Sequence, residues 1–492
     1  AVTADNVINS AEQTTTLSGT AEANSSVSLT LGGETKSLTA DASGAWSYDL
    51  TADDVAAMEE GAEEITITAT DAAGNTSTTT TRAIKVDTEA PAAPSIADVT
   101  ADNVINGAEQ TTTLSGTAEA NSSVSLTLGG ETKSLTADAS GAWSYDLTAD
   151  DVAAMEEGAE EITITATDAA GNTSTTTTRA IKVDTEAPAA PSIADVTADN
   201  VINGAEQTTT LSGTAEAGAS VTLSLGGLTK DLTADADGAW SYDLTVDDVT
   251  AMGEGAEEIT ITATDAAGNT STATTKAITV DTEAPTAPSI AAVTADNVIN
   301  SAEQTTTLSG TAEANSSVSL TLGGETKPLT ADANGAWSYD LTADDVAAMG
   351  EGTEEITITA TDAAGNTSTT TTKAIKVDTE APTAPSIAAV TADNVINSAE
   401  QTTTLSGTAE ADSVISLTLG GETKDLTADA NGAWSYDLTA DDVTAMGEGT
   451  EEITITATDA AGNTSTTTTK TISVDTLAAS VTRETLSAAE NG

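Results

Sequence analysis

The chain has 492 residues, no cysteine and no histidine, and a formal net charge of −64 from 78 acidic against 14 basic residues. Disulfides, zinc sites built on Cys or His, a His general base and a Cys nucleophile are thereby excluded, and the metal chemistry left open uses oxygen ligands, as for calcium or magnesium. A surface this acidic repels nucleic acid and anionic lipid, and it is balanced either by bound cations or by solvation alone.

The string TADNVIN begins at Thr3, Thr100, Thr197, Thr294 and Thr391, a constant step of 97 residues. That period exceeds the roughly 20–50 residues of solenoid repeats and suits a complete small domain in tandem. The boundaries read from it are 1–91, 92–188, 189–285, 286–382 and 383–479, with 480–492 a tail or the start of a further domain. The first copy begins where PSIAAV would precede TADN, so it reads as truncated and the whole chain as an excerpt. No apolar run approaches the roughly 18 residues of a membrane span.

Within the first copy, Val27-Ser28-Leu29-Thr30-Leu31 alternates apolar and polar residues, and Gly32-Gly33 supplies a turn after it. Trp46-Ser47-Tyr48-Asp49-Leu50 alternates in the same way. Thr51-Ala52-Asp53-Asp54 has the form of a helix capping box, which gives Asp53 and Asp54 a structural reading ahead of a ligand role. Ile65-Thr66-Ile67-Thr68 and Ala83-Ile84-Lys85-Val86 are two further strands, separated by a turn at Gly74-Asn75. Period-two alternation with one apolar face is the mark of a half-buried antiparallel strand. About seven short strands per copy predict an all-β chain of tandem immunoglobulin-like antiparallel β-sandwiches, forming an elongated rod. Trp46 opens an alternating strand and reads as a core anchor, with carbohydrate stacking as the alternative. Between copies, Pro91 and Pro94 stiffen a linker too short for independent domains.

Strand direction sorts the acidic residues by pole. If strands alternate up and down from the entry end, the ADNVIN loop and the end of the last strand share the far pole, while GTAE and ATDAAGN return to the near pole. Stacked copies then bring Asp5, Asn9, Glu12 and Asp87 of the first toward Glu119, Asp138 and Asp168 of the second. Such a cluster suits calcium, which takes six to eight oxygens. Each motif also has a plain reading: Asp-x-x-Gly-Asn is ordinary turn chemistry, Asp5-Asn6 shapes a loop, and GTAE is a solvated strand end.

The order VDTEAPAAPSI, TTTLSGTAEA, GAWSYDL, ATDAAGNTS resembles the bacterial immunoglobulin-like repeats of giant secreted adhesins, RTX-type and biofilm-associated surface proteins among them. The resemblance implies an extender region that projects a terminal ligand-binding domain from the bacterial surface for adhesion or biofilm formation. It implies Ca2+ at the junctions, extracellular localisation and a monomeric rod whose partners are calcium and neighbouring domains of one longer chain, with no membrane insertion and no nucleic acid. The residues it nominates as ligands fall in five sets of copies. They are Asp5, Asp102, Asp199, Asp296 and Asp393; Glu12, Glu109, Glu206, Glu303 and Glu400; Glu22, Glu119, Glu216, Glu313 and Glu410; Asp71, Asp168, Asp265, Asp362 and Asp459; and Asp87, Asp184, Asp281, Asp378 and Asp475. The last copy departs from the pattern, with Asp475-Thr476-Leu477 and no proline. An alternative is that the repeats themselves bind a host or neighbouring-cell protein or glycan multivalently. No nucleophile motif or phosphate loop points to an enzyme.

Overall fold

A computed structural model describes residues 2–481; most of the C-terminal segment expected to be a tail or a further domain lies outside them. One element order recurs in all five copies. In the first it runs β1 (Val7–Ile8), β2 (Thr16–Thr20), β3 (Ser26–Leu31), β4 (Glu34–Thr39), β5 (Ala45–Asp49), α1 (Ala52–Ala57), β6 (Gly61–Thr70) and β7 (Thr80–Val86). No helix among the described residues is long and apolar enough to cross a membrane.

Each copy has a five-stranded sheet in the order β1-β7-β6-β3-β4 and a two-stranded sheet pairing β2 with β5. The pairings are antiparallel except for β1, which runs parallel to β7 with Val7 opposite Lys85 and Ile8 opposite Val86. The Gly32-Gly33 hairpin joins β3 to β4 with both residues at positive φ, +53° and +74°. That is the conformation a two-residue hairpin needs to match strand twist.

The second copy shows the core in full. Val124, Leu126 and Leu128 point inward from one strand and share one buried cluster with Ile162, Ile164, Ile181 and Val183 of the next two strands of the same sheet. Burying each such aliphatic side chain contributes about 1.5–3 kcal/mol. Trp143 is buried, and its indole N–H donates to the Ser95 carbonyl at 3.1 Å, so it is a core anchor. Gly116 passes beneath it: a Cβ there would lie 1.9 Å from the Ser95 oxygen and 2.9 Å from the indole ring. Ser95 and Ala97 donate their backbone N–H groups to Thr117 and Ser115, so the entry segment lies along the edge of the smaller sheet.

The capping box is formed in every copy. In the first, Thr51 and Asp54 exchange side-chain-to-backbone hydrogen bonds, and Asp54 also accepts from the Tyr48 hydroxyl and pairs with Lys36 at 2.9 Å. Burial pushes Asp54 up, but the Lys36, Thr51 and Tyr48 donors outweigh it and hold the carboxyl well below the usual range. This acid ties the helix to two strands.

The chain divides into two compact units. One holds Ala1–Asp195, Thr210–Leu244 and Glu257–Ala277, and the other Val196–Thr209, Thr245–Ala256 and Ile278–Gly492. The residues joining copies one to two and two to three belong to the first unit, and those joining three to four and four to five to the second.

Candidate functional site: the junction between repeats

At the far pole of copy one, Asn9 follows β1 and opens a tight turn. Its backbone carbonyl accepts from Glu12 N–H at 3.0 Å, its own N–H donates to Glu12 Oε2 at 3.3 Å, and its Oδ1 accepts from Ala11 N–H at 2.9 Å. These bonds leave Nδ2 aimed outward, and it donates to the Ala170 carbonyl of copy two at 2.9 Å.

The reciprocal half comes from ATDAAGN in copy two. Asp168 Oδ1 accepts from the N–H groups of Ala170 at 2.9 Å and Asn172 at 2.8 Å, and Asp168 Oδ2 accepts from Asn172 Nδ2 at 2.8 Å. Burial pushes Asp168 up, yet the Asn172 side chain and the backbone amides of Asn172, Ala170 and Gly171 leave it below its ordinary value. The loop so built holds Asn172 rigidly at 1 % exposure. Asn172 Oδ1 accepts from Ser10 N–H at 2.8 Å, and Nδ2 donates to the Asp87 carbonyl at 2.7 Å. Two amides thus cross the junction in opposite directions: Asn9 gives one bond across it, and Asn172 gives one and receives one.

The same clamp closes the other three junctions through Asn106 with Asn269, Asn203 with Asn366, and Asn300 with Asn463. Each net hydrogen bond contributes about 0.5–1.5 kcal/mol, and losing one partner of a buried pair costs more.

The linker is pinned at both ends. Thr88 N–H and its hydroxyl donate to the Glu60 carboxylate of copy one, while the Thr177 hydroxyl of copy two donates to the Pro94 carbonyl at 2.6 Å. Glu60 was not among the sequence candidates, because one more acid in a strand approach carries no local signal.

The nominated acids separate by role. The junction brings Asp87 and Asp168 together, with the Asn172 amide between them: its nitrogen is 2.7 Å from the Asp87 carbonyl, 3.4 Å from Asp87 Oδ1 and 2.8 Å from Asp168 Oδ2. Asp184 with Asp265, Asp281 with Asp362 and Asp378 with Asp459 are placed alike. The Asp5 set shapes its own loop instead. Asp102, for example, accepts from Val104 N–H and the Thr100 hydroxyl, which lower its pKa in that order. The Glu12 set supports the asparagine turn. Glu119 is exposed and closes a turn through its backbone carbonyl, and Asp138 caps another turn. Asp71 builds the same loop as Asp168, and Asp475 ends the last strand on the exposed surface.

Among the described residues no group of three or more acidic side chains stands close enough to hold a metal ion. The acceptors that converge on the Asn172 amide are nonetheless all hard oxygens, two carboxylates and a carbonyl, which fits calcium chemistry and no softer metal. Three of the junction aspartates also carry a local counter-ion, Lys85 with Asp87 at 2.5 Å, Lys182 with Asp184 at 2.6 Å and Lys376 with Asp378 at 2.7 Å. Thr279 stands at this place ahead of Asp281. There burial, then the charges of Asp362 and Glu254, push the carboxyl above its ordinary value.

The family described as bacterial Ig-like domain matches residues 1–88, 93–185, 190–282, 286–379 and 384–476. Among solved structures, the Ca2+-stabilised adhesin with which an Antarctic bacterium reaches out and binds ice is 39 % identical, over 79 % of this chain and 99 % of that one, at a TM-score of 0.36. A tetra-tandem repeat in the extending region of a large adhesion protein is 24 % identical, over 79 % of this chain and 100 % of that one, at a TM-score of 0.32. A single immunoglobulin-like domain of the M. primoryensis ice-binding adhesin is 36 % identical, over 19 % of this chain and 96 % of that one, at a TM-score of 0.15. No curated protein sequence matches. The chain therefore belongs to the bacterial Ig-like domain family, as five tandem repeats of a structural, non-enzymatic domain.

Proposed function

We propose that this chain is a spacer region of a bacterial cell-surface adhesin, which holds a ligand-binding domain away from the cell and is stiffened by Ca2+ at the junctions between repeats. The observation that carries the reading is the junction itself. One clamp, on equivalent residues, recurs at all four contacts between copies, as suits a repeat whose task is to join its neighbours end to end. Asp87 and Asp168, with their equivalents, and the Asp87 backbone carbonyl are the oxygens that would hold the ion, which would take the place of the Asn172 Nδ2 donor among them while Asn172 Oδ1 keeps its bond to Ser10 N–H. Calcium is the ion named for the adhesin that is 39 % identical. Bound there, it supplies positive charge between carboxylates that otherwise repel. A chain carrying −64 gains most from that where its acids are closest.

Among the described residues the large exposed hydrophobic side chains are Leu228, Val246, Val414, Leu477 and Val481, each at a different place in the repeat, which supports the spacer reading over ligand binding by the repeats. Small-angle scattering and thermal melting, in calcium at about 1–10 mM and again in chelator, test the proposal at the affinity usual for extracellular modules. A longer, stiffer particle with a higher melting temperature in calcium is expected. Equal dimensions and equal melting in both would remove the ion from the reading.

A further inference from the structure

The asparagine that opens the clamp is followed by different residues in different copies. Ser follows Asn9 and Asn300, but Gly follows Asn106 and Asn203. An Asn-Gly pair is the sequence in which a backbone nitrogen most easily reaches the preceding side-chain amide, because no Cβ hinders the approach. We propose that Asn106 and Asn203 are deamidation sites gated by the junction: protected while the repeats are docked, and modified when the contact opens.

The docked geometry blocks the reaction at both reacting groups. The nucleophile would be the Gly107 nitrogen, and its N–H is donated to Asn269 Oδ1 of the next copy at 2.7 Å. The electrophile is Asn106 Cγ. Its amide is fixed at both ends, Nδ2 donating to the Ala267 carbonyl at 2.9 Å and Oδ1 accepting from Ala108 N–H at 2.9 Å. Asn203 and Gly204 are held alike, by the Ala364 carbonyl at 3.0 Å, Asn366 Oδ1 at 2.7 Å and Ala205 N–H at 2.9 Å. Asn106 is half-buried and Gly107 exposed, so water is at hand once the bonds part.

When the junction opens, the Gly107 nitrogen loses its proton to solvent base and attacks Asn106 Cγ. A C–N bond forms, the Cγ–Nδ2 bond breaks, and ammonia leaves with a proton from water. Water then opens the cyclic imide at either carbonyl, giving aspartate or isoaspartate in place of Asn106. Neither product can donate to the Ala267 carbonyl. Two acceptors now face each other, and the isoaspartate also lengthens the backbone by one carbon. The opened junction therefore cannot close as before, and the second and third copies keep a covalent record of having separated. The Asn9 and Asn300 junctions, with serine next in sequence, react more slowly and stay reversible for longer. The clamp alone carries this gate, apart from any calcium binding.

The test uses the full chain in calcium-free, mildly alkaline buffer, with deamidation followed by peptide mass spectrometry. Asn334-Gly335 and Asn431-Gly432 sit in turns closed by Asp332 and Asp429 of their own repeats and serve as internal references. Deamidation of Asn106 and Asn203 is expected to be at least about tenfold slower in the native chain than in concentrated urea, corresponding to about 1.4 kcal/mol of opening free energy. Asn269→Ala should release Asn106 and leave Asn203 protected, and Asn366→Ala should do the reverse. If either variant unfolds its own repeat, the unaltered chain in rising urea decides. Asn106 must lose protection before tryptophan fluorescence reports global unfolding. Equal rates in native buffer and urea, or protection lost only with the global transition, would overturn the proposal.

Discussion

The loop at residues 71–75 and the loop at residues 168–172 have one sequence, DAAGN, and one internal geometry. Asp71 holds Ala73 N–H at 2.9 Å and Asn75 N–H at 2.8 Å, as Asp168 holds Ala170 and Asn172. Yet Ala73, Asn75 and Ser77 are exposed, whereas Ala170, Asn172 and Ser174 are buried. What differs is the far pole of the first repeat and the entry segment from Pro94, both present in the second copy's surroundings. The loop is therefore built by its own aspartate before anything docks on it, and docking is addition of a preformed edge to a preformed edge. Preorganisation of this kind lowers the ordering cost of the contact.

Substituting the two aspartates tests this most strongly. Asp168→Ala removes the acceptor for two backbone amides and frees the Asn172 side chain in a buried site, and a loss of about 2–4 kcal/mol is expected. Asp71→Ala should cost clearly less in this chain, where among the described residues its loop bonds only within its own repeat. Urea melts of the two variants measure the gap, and equal losses would mean that docking adds nothing. Next in size, Asn172→Ala leaves Ser10 N–H and the Asp87 carbonyl without partners and should cost about 1–3 kcal/mol, against under about 1 kcal/mol for Asn75→Ala. A double-mutant cycle with Asn9→Ala separates the two halves of the clamp.

Acid should weaken some junctions and strengthen another. Asp168 lies below its ordinary value when folded, so the stability it contributes is present above the unfolded value, 3.8, and is lost as pH falls through the folded one. Asp281 has the opposite sign: its folded value is raised, so ionisation weakens the third junction, which gains stability as pH falls toward and below that value. Melting of two-repeat fragments against pH, one spanning the first junction and one the third, should show opposite slopes in the acid range. The smallest effect concerns the counter-ion. Thr279→Lys should reduce the calcium-induced rise in melting temperature at the third junction, and Lys85→Thr should increase it at the first. Unchanged calcium responses in both would show that the lysine does not compete with the ion.

Much of this was legible in the sequence. The 97-residue step, the alternation at Val27–Leu31 and the capping box at Thr51 each follow from local rules, and the structure has all three. The meeting of the Asp87 and Asp168 poles followed from strand direction alone. What the sequence hid was the division of labour. Aspartates at turns are consumed by their own backbone, as Asp102 and Asp168 are. An asparagine offers a donor and an acceptor at once, so it can satisfy a carbonyl and an N–H across a gap where a carboxylate can satisfy only the N–H. Strand direction puts Asp168 and Asn172 at the same pole, and charge singles out Asp168 as the ligand, while the side chain that bridges is Asn172. Glu60 was hidden for another reason, since its partner Thr88 lies 28 residues away and becomes a neighbour only when β6 pairs with β7.

The parallel pairing of β1 with β7 has a mechanical consequence. A pull along the chain enters each repeat near the segment leading to β1 and leaves through the end of β7. Neighbouring strands that run the same way and are drawn from opposite ends slide along each other, so the bonds between them bear the load together. Antiparallel neighbours peeled from one end would give way one bond at a time. With the linker fastened by Glu60 before it and Thr177 after it, tension passes into that sheared patch with little slack to absorb it first.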